Sequence, residues 1–219
     1  MLKMDSHIHS QYSPDSSSKI DDIIKKAKIE NIDVIAISDH NTVDGTSEVL
    51  KKTRNTDILA IPSIEISSTM GHILGFGCEE NIAQGLSPEE TIDKIHDLGG
   101  LAIVPHPYCF YRHGLLHKTD YKNLKIDAIE TKNARFIIGY CNRKANNLSK
   151  KENIPGLGAS DSHYWKFVGD CYSLVDAEKD IDSILKAISN NKIEANGKGT
   201  SNILLSKYLI EKNLLKKFD

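Results

Sequence analysis

The chain has 219 residues, a formal net charge of −2 with histidine neutral, 39% hydrophobic residues and 26% charged residues. These values are ordinary for a globular protein that can bury a sizeable core, and the length suits one large domain. The near-neutral charge argues against an extended surface for nucleic acid, while a local basic pocket for a phosphate is compatible with it.

The N-terminus and the cysteines indicate where such a chain would work. Asp5 and two histidines interrupt the N-terminus at once, so no signal peptide is expected. No apolar run approaches the ~20 residues of a membrane helix. The four cysteines are widely spaced and include no Cys-x-x-Cys pair, which argues against a zinc ribbon. We therefore expect reduced cysteines in a cytoplasmic protein with no membrane association and no obligate protein partner.

The predicted elements alternate between strands and helices along most of the chain. Strands are expected at 2–6, 33–38, 58–66, 72–76, 101–104, 126–129, 156–160 and 172–175. Helices are expected at 20–29, 43–53, 87–99, 136–152 and 181–188. Short, continuously apolar runs such as 33–38 are typical of parallel strands that are covered on both faces. The alternation therefore predicts an α/β fold with a parallel sheet.

The chain is interpreted as a single domain spanning residues 1–219. Apolar residues recur at helical spacing near the end, so residues 200–219 are expected to form a C-terminal helix docked on the body. No internal repeat, low-complexity tract or linker indicates a second domain.

Histidines and acids follow the ends of six predicted strands. They are His7 and His9, His40, Glu65, His106, Glu130, and Asp161 with His163. In a barrel the carboxyl ends of all strands converge on one face, which holds the active site. An open sheet would spread the same residues along a line and keep the first far from the last. The distribution therefore favours a barrel or a nearly closed variant of one.

The types of residue in this set indicate a metal centre. His7 and His9, like Asp161 and His163, are two residues apart, so each pair projects to the same side of a strand. Imidazoles mixed with carboxylates suit zinc, manganese or iron, whereas calcium and magnesium prefer oxygen ligands almost alone. Seven or more candidates are too many for one tetrahedral ion. Two or three divalent transition-metal ions with a bridging carboxylate are therefore expected.

The same segments resemble the PHP (polymerase and histidinol phosphatase) family of metal-dependent phosphoesterases. The matching residues are 5–10, 38–40, 64–65, 72–75, 106–107 and 160–163, in the order of the family. The resemblance implies a distorted seven-stranded β/α barrel, similar to a TIM barrel, that holds a trinuclear metal centre. Family members that act on nucleotide bisphosphates or RNA ends often carry a large insert after the Glu65 position. Only 40 residues separate Glu65 from His106 here, so that insert is expected to be absent.

The resemblance also implies which residues hold each ion. The first ion would be held by His7, His9, Glu65 and Asp161. The second would share Glu65 and add His72 and His106. The third would be held by Asp15, His40 and His163. Asp15 lies where the family often has Ser-Asp-Gly, and Glu130 matches a family acid that we assign to no ion.

The implied activity is hydrolysis of a small phosphate ester. The expected substrate is a nucleotide, a nucleoside bisphosphate or the end of an oligonucleotide, and a metal-bridged hydroxide would attack phosphorus. Glu65 and Asp161 would serve this step as ligands. Arg135 is preferred over Arg112 and Arg143 as the cation that holds the phosphate.

Further residues are candidates for supporting roles. His113 and His117 could protonate the leaving group, although loop histidines without such a role are more common. Asp5 and Asp39 are candidate partners for the N–H groups of ligand histidines.

Three alternatives stay open at this point. A histidinol-phosphate phosphatase of the same family would use the same ligands, because the loops determine the substrate. An amidohydrolase barrel also opens with His-x-His but usually uses a bridging lysine or another carboxylate, and Lys132 lies off that pattern. A non-catalytic barrel subunit of an RNA-processing or polymerase assembly is disfavoured, because all nine ligand positions carry competent residues.

Overall fold

The computed structural model describes residues 1–136, 139–201, 204–206 and 208. The strands of this part of the chain are β1 (Leu2–Ile8), β2 (Val34–Ile37), β3 (Leu59–Ser67), β4 (His72–Phe76), β5 (Leu101–Val104), β6 (Ala128–Asn133), β7 (Gly156–Ala159), β8 (Cys171–Val175) and β9 (Ile193–Gly197). The α-helices are α1 (Ile20–Ile29), α2 (Asp44–Thr53), α3 (Pro88–Asp97), α4 (Tyr140–Glu152) and α5 (Ile181–Ser189).

All nine described strands join one sheet in the order β7-β6-β5-β4-β3-β2-β1-β8-β9. Strands β1, β2 and β3 are mutually parallel, and so are β5, β6 and β7. Strand β4 lies between these two sets and runs antiparallel to both β3 and β5. Strands β8 and β9 extend the edge of β1 in antiparallel pairs. The expected parallel sheet is therefore found for β1–β3 and for β5–β7, but it was wrong for β4 and β8, which run antiparallel to their neighbours.

The sheet curls until its first and seventh strands meet. Ile8 at the end of β1 forms a parallel bridge with Ser162, and the His9 N–H donates to the Ser162 carbonyl over 2.9 Å. At the other end of β1, strand β8 pairs with residues 2–4. Gly158 in β7 comes so close to β8 that a Cβ there would lie 2.3 Å from the Tyr172 carbonyl oxygen. The result is a nearly closed, TIM-like barrel, as predicted.

The barrel interior is filled with apolar side chains from successive strands. Met4, Ile61, Leu74 and Ile103 belong to one buried cluster there. Helix α5 adds Ile184, Ala187 and Ile188 to the same cluster. Apolar side chains thus fill this part of the interior, and the polar side chains described below lie toward the carboxyl ends of the parallel strands.

The helices begin and pack for local reasons. Helix α3 starts with a capping box in which Ser87 accepts the Glu90 N–H and the Glu90 side chain accepts the Ser87 N–H. It buries Ile92 and Ile95, each of which contributes about 1.5–3 kcal/mol through burial. Helix α1 buries its predicted apolar stripe except Ile29, which is 61% exposed at the last turn.

Two predicted elements lie partly outside the described residues. Helix α4 begins at Tyr140 rather than 136, and residues 137–138 are not described. Of the predicted C-terminal helix, residues 204–206 and 208 are helical, while the rest of 200–219 beyond 201 lies outside the described residues. The Tyr208 ring stacks on the Tyr164 ring with centroids 4.8 Å apart.

Strand β9 was not predicted; its residues are half-buried or exposed and end in Asn-Gly. No described helix has the length and apolarity to span a bilayer.

Candidate metal centre

A cavity of about 420 Å³ opens where the parallel strands end. Its walls include nine residues named from the sequence: Asp15, His40, Glu65, His72, His106, Arg112, His113, Arg135 and His163. His7, His9, Glu130 and Asp161 lie beneath it and are fully or almost fully buried. The barrel therefore brings together residues that are up to 156 positions apart in the sequence.

Bulges in strands β1 and β6 change which side chains face the barrel interior. On β1, Asp5 to Ile8 spans three positions where the partner strand β2 advances by only two. An extra residue of this kind reverses the alternation of side chains. Met4 precedes the bulge and packs in the barrel interior, and His7 also faces inward although it lies three positions further on. A similar shift on β6 follows Glu130, and it turns Asn133 inward beside the Glu130 side chain.

Four residues at this face have left-handed backbones. The φ angles are 58° at Asn41, 32° at His106, 53° at His113 and 51° at Asp161. Such φ values are uncommon in residues other than glycine, and they cluster at functional sites. Asn41, His106 and Asp161 lie two to four residues past the ends of β2, β5 and β7, where the chain turns at the face that holds the cavity.

The carboxylate of Glu65 is the centre of the cluster. Its Oε2 lies 3.2 Å from His7 Nε2, 3.2 Å from His9 Nε2 and 3.3 Å from His40 Nδ1. Its Oε1 lies 2.9 Å from His72 Nδ1 and 3.1 Å from His106 Nε2. The two oxygens of this one side chain thus face five imidazoles, three at Oε2 and two at Oε1.

Asp161 closes the buried side of the first set. Its Oδ1 lies 3.7 Å from His9 Nε2 and 3.9 Å from His7 Nε2. Its Oδ2 accepts a hydrogen bond from Asn133 Nδ2 over 2.8 Å and an ion pair from Arg112. Oδ1 is therefore the oxygen that faces the two histidines, and it also lies 3.4 Å from Arg135 Nη1.

The third predicted set also assembles, at the rim of the cavity. Asp15 Oδ2 lies 2.7 Å from His163 Nε2 and 3.6 Å from His40 Nε2. The His9 and His163 rings are 4.0 Å apart, so this set adjoins the first one. His40 lies between the Asp15 and Glu65 carboxylates and can serve either set.

Glu130 holds the far side of the His7 ring. Its Oε1 accepts from His7 Nδ1 over 2.7 Å, and its Oε2 accepts from the His106 N–H and from Asn133 Nδ2, each over 2.8 Å. A carboxylate on Nδ1 fixes the ring orientation and leaves Nε2 to face the cluster. The sequence assigned Glu130 to no ion. Glu130 faces inward by the ordinary alternation of a strand, because it lies two positions after Ala128 of the interior cluster.

Asp5 and Asp39, the predicted partners of histidine N–H groups, serve other groups. Asp5 accepts backbone N–H groups from Ser160 and Gly169, over 3.0 and 2.9 Å. Asp39 accepts both the backbone N–H and the hydroxyl of Ser10 over 2.6 Å. The two predictions were therefore wrong, because both carboxylates tie neighbouring loops together. Burial raises the pKa of each carboxyl group to about 6. The hydrogen bonds that these carboxylates accept act in the opposite direction and lower the pKa.

The pKa values of His7 and His9 are shifted in opposite directions, although both rings are buried. Burial acts to lower the pKa of His7, but the Asp161, Glu65 and Glu130 carboxylates outweigh it and raise that pKa well above its usual range. Burial and the nearby His163 hold the pKa of His9 well below its usual range. Burial opposes ionisation of Glu65, yet the surrounding histidines hold its pKa well below the usual range. The three carboxylates around His7 thus favour positive charge at its ring.

The donor set fits divalent transition-metal ions. The Nε2 atoms of His7 and His9 are 2.9 Å apart, and both are 3.2 Å from the same Glu65 oxygen. Three lone-pair donors converging in a buried space are well suited to a cation. The described residues include four overlapping groups of potential metal ligands, and within each group the ligand atoms lie within 4.8 Å of one another. The groups are His9, Asp15, His40 and His163; His7, His9 and Glu65; His40, Glu65 and His72; and His7, Glu130 and Asp161.

The predicted substrate-binding residues divide clearly. Arg135 Nη1 lies 3.4 Å from Asp161 Oδ1 and 2.8 Å from His163 Nδ1 at the cavity wall. Arg112 reaches the same aspartate from the loop after β5 and also lines the cavity. Arg143 is exposed on α4 and is absent from the residues that line the cavity.

The two candidate leaving-group acids also lie in different places. His113 lines the cavity, and its ring is 5.1 Å from the His72 ring. His117 packs edge-on against Phe110 and lines a separate surface depression with Lys144. A role in proton transfer therefore stays a prediction for His113 and has no geometric support for His117.

Fold and site together define a nearly closed β/α barrel with a cluster of potential metal ligands at the carboxyl ends of its parallel strands. The chain belongs to the PHP domain family, whose model matches residues 5–208. The uncharacterized protein MJ1587 of Methanocaldococcus jannaschii is 40% identical over 161 residues, which cover 69% of this chain and 93% of that protein.

Solved structures share the fold at low sequence identity. One is a two-domain protein from Bacteroides vulgatus that contains a predicted PHP-like metal-dependent phosphoesterase. Its TM-score is 0.76 and its identity 19%, over 90% of this chain and 65% of that protein. Another is PsfC from Pseudomonas syringae, with a TM-score of 0.71 and 15% identity over 98% of both chains. At such identities the likeness establishes the fold alone.

Proposed function

We propose that this protein is a metal-dependent phosphoric ester hydrolase. The proposal rests on the Glu65 carboxylate, whose two oxygens lie within 3.3 Å of nitrogens from five histidines. Membership of the PHP domain family supports it. Two or three ions of zinc, manganese or iron would be held by His7, His9, Asp15, His40, Glu65, His72, His106, Asp161 and His163.

Bound ions would supply Lewis acidity at the phosphoryl oxygens and lower the pKa of a coordinated water from 15.7 to roughly 7. The protein's own part is to hold the ligands in place. Glu65 provides the bridge between the first and second sets, and Asp161 directs Oδ1 to the first set. Glu130 and Asn133 fix His7 and Asp161 from behind.

Two arginines are suited to hold the phosphate. Arg135 and Arg112 approach Asp161 from two sides at the cavity wall, where their guanidinium groups can reach an anion in the cavity. Guanidinium groups form strong, charge-assisted bonds to phosphate oxygens. Arg135 remains the principal candidate, as predicted, and Arg112 is a second one.

The shape of the cavity favours a small substrate. A volume of about 420 Å³ suits a phosphorylated small molecule such as a nucleotide, a nucleoside bisphosphate or the end of a short nucleic acid. Tyr111 lines the opening and is largely exposed, so its ring is available to stack on a base.

The test is to strip the protein of metal with a chelator, reload it with zinc or manganese, and assay the three states. The substrates are an aryl phosphate, nucleoside bisphosphates and histidinol phosphate. Hydrolysis that disappears on stripping and returns on reloading is the expected result, with nucleoside bisphosphates preferred over histidinol phosphate. A folded, reloaded protein that hydrolyses none of these esters would contradict the proposal.

A further inference from the structure

The side chain of Ser13 connects three residues of the candidate metal centre. Ser13 lies in the loop between β1 and α1 and is only 2% exposed. Its Oγ is 3.2 Å from His9 Nδ1, 3.0 Å from Asp15 Oδ1 and 3.3 Å from the backbone nitrogen of His40. None of the ligand assignments made above includes this hydroxyl.

The direction of each hydrogen bond follows from the chemistry of the groups. A hydroxyl has one hydrogen to donate and two lone pairs that accept. The Asp15 carboxylate can only accept, so it takes the Ser13 hydrogen. The His40 backbone N–H can only donate, so it uses one lone pair. His9 Nδ1 must then donate to the remaining lone pair, which makes it the protonated nitrogen of the neutral ring.

This pattern sets the orientation of two ligands at once. With the proton on Nδ1, the His9 Nε2 lone pair faces Glu65 Oε2 and His7 Nε2 in the first set. With Oδ1 of Asp15 held by Ser13, Oδ2 faces His163 Nε2 over 2.7 Å in the third set. The Asp15 side chain is 45% exposed, so the buried hydroxyl anchors a carboxylate that water also reaches.

We propose that Ser13 is a positioning residue that couples the first and third ion sites. Its hydroxyl fixes both the tautomer of His9 and the rotamer of Asp15. One group therefore orients a ligand of the first site and a ligand of the third. This inference rests on the metal-holding role proposed above, but not on the reaction. Loss of a partner behind a ligand typically lowers metal affinity 10–100-fold.

The variants are Ser13→Ala, Ser13→Thr and, as a matched control in the same loop, the exposed Ser17→Ala. Each is stripped of metal and titrated with zinc against a chromophoric chelator, with circular dichroism to verify folding. Ser13→Ala should weaken the most weakly bound ion about 10–100-fold. Ser13→Thr should restore most of the affinity, and Ser17→Ala should match the wild type. A folded Ser13→Ala protein with wild-type zinc affinities would overturn the proposal.

A second measurement needs no variant to fold. In zinc-loaded wild-type protein, nitrogen-15 NMR of the histidine rings should show a protonated Nδ1 at His9 and a metal-bound Nε2. The reverse tautomer would overturn the proposal even if zinc binds tightly. Tight zinc binding with this tautomer but without ester hydrolysis would instead remove the proposed function and leave the role of Ser13 intact.

Discussion

At the scale of single residues, Glu130 shows how the ligands are held. Its two oxygens receive hydrogen bonds from a histidine ring, a backbone amide and an asparagine side chain. Only an ionised carboxylate can accept all three without presenting a donor of its own. The charge also stabilises positive charge on the far side of the His7 ring, where an ion would sit.

The substitution Glu130→Gln replaces one oxygen by an NH₂ group, which must face one of these three donors. We expect a 10–100-fold loss of zinc affinity with the fold retained. Competition with a chelator measures the affinity, and Glu89→Gln on the exposed first turn of α3 serves as control. Equal affinities for the two variants would show that Glu130 does not support the ligands.

The arginines give a second prediction at this scale. Arg135→Ala and Arg112→Ala should each lower kcat/KM for an aryl phosphate about 10–100-fold, the effect of losing a hydrogen bond between charged groups of about 1.5–3 kcal/mol. Arg143→Ala should have no effect, since Arg143 is exposed and remote from the cavity lining. Steady-state kinetics at saturating metal measure the ratio. Normal kinetics for both cavity variants would contradict the assignment.

At the scale of elements, close contact between β7 and β8 determines how the barrel closes. Ser173 in β8 accepts the Gly158 N–H over 2.9 Å and donates to the Gly158 carbonyl over 3.0 Å. The two strands are so close here that a side chain on residue 158 would collide with the Tyr172 carbonyl oxygen. Asp161, three residues further on, depends on this contact for its position.

Gly158→Ala should therefore destabilise the protein by about 1–3 kcal/mol, the usual cost of forcing atoms into a packed interior. Gly139→Ala is the matched control, because a Cβ at Gly139 meets nothing within 4 Å and the φ angle of −65° suits alanine. Urea denaturation measures the difference. A Gly158→Ala variant as stable as the control would mean that β7 and β8 can separate freely.

At the scale of the whole molecule, closure is what creates the candidate site. His7 and His9 come from the first strand, while Asp161 and His163 follow the seventh, and the Ile8–Ser162 bridge brings them together. The i, i+2 spacing of these pairs and the positions of polar residues after apolar strands made the barrel and most ligand candidates predictable from sequence. Asp15 and His72 were assigned as ligands from the family resemblance. The bulge in β1 has no local signature. The partners of Glu130, Asp5 and Asp39 come from distant segments of the chain, so the roles of these three residues were not predictable.

Strand direction was also hidden in the sequence. The short segment 72–76 reads as an ordinary strand, and only its pairing between β3 and β5 shows that it runs antiparallel. Its reversal places His72 at the start of a strand rather than at its end, yet still beside Glu65. A connection from Ser67 to His72 too short for a crossover helix was the available signal.

Metal content tests the central claim most directly. Elemental analysis of reloaded wild-type protein should find about two to three transition-metal ions per chain, since the nine proposed ligands exceed what one ion needs. His9→Ala should retain fewer ions and lose hydrolysis while keeping its fold by circular dichroism, because it removes a nitrogen that faces Glu65 and His7. A folded wild-type protein that takes up no metal, or a His9→Ala protein with unchanged metal content and turnover, would contradict the account.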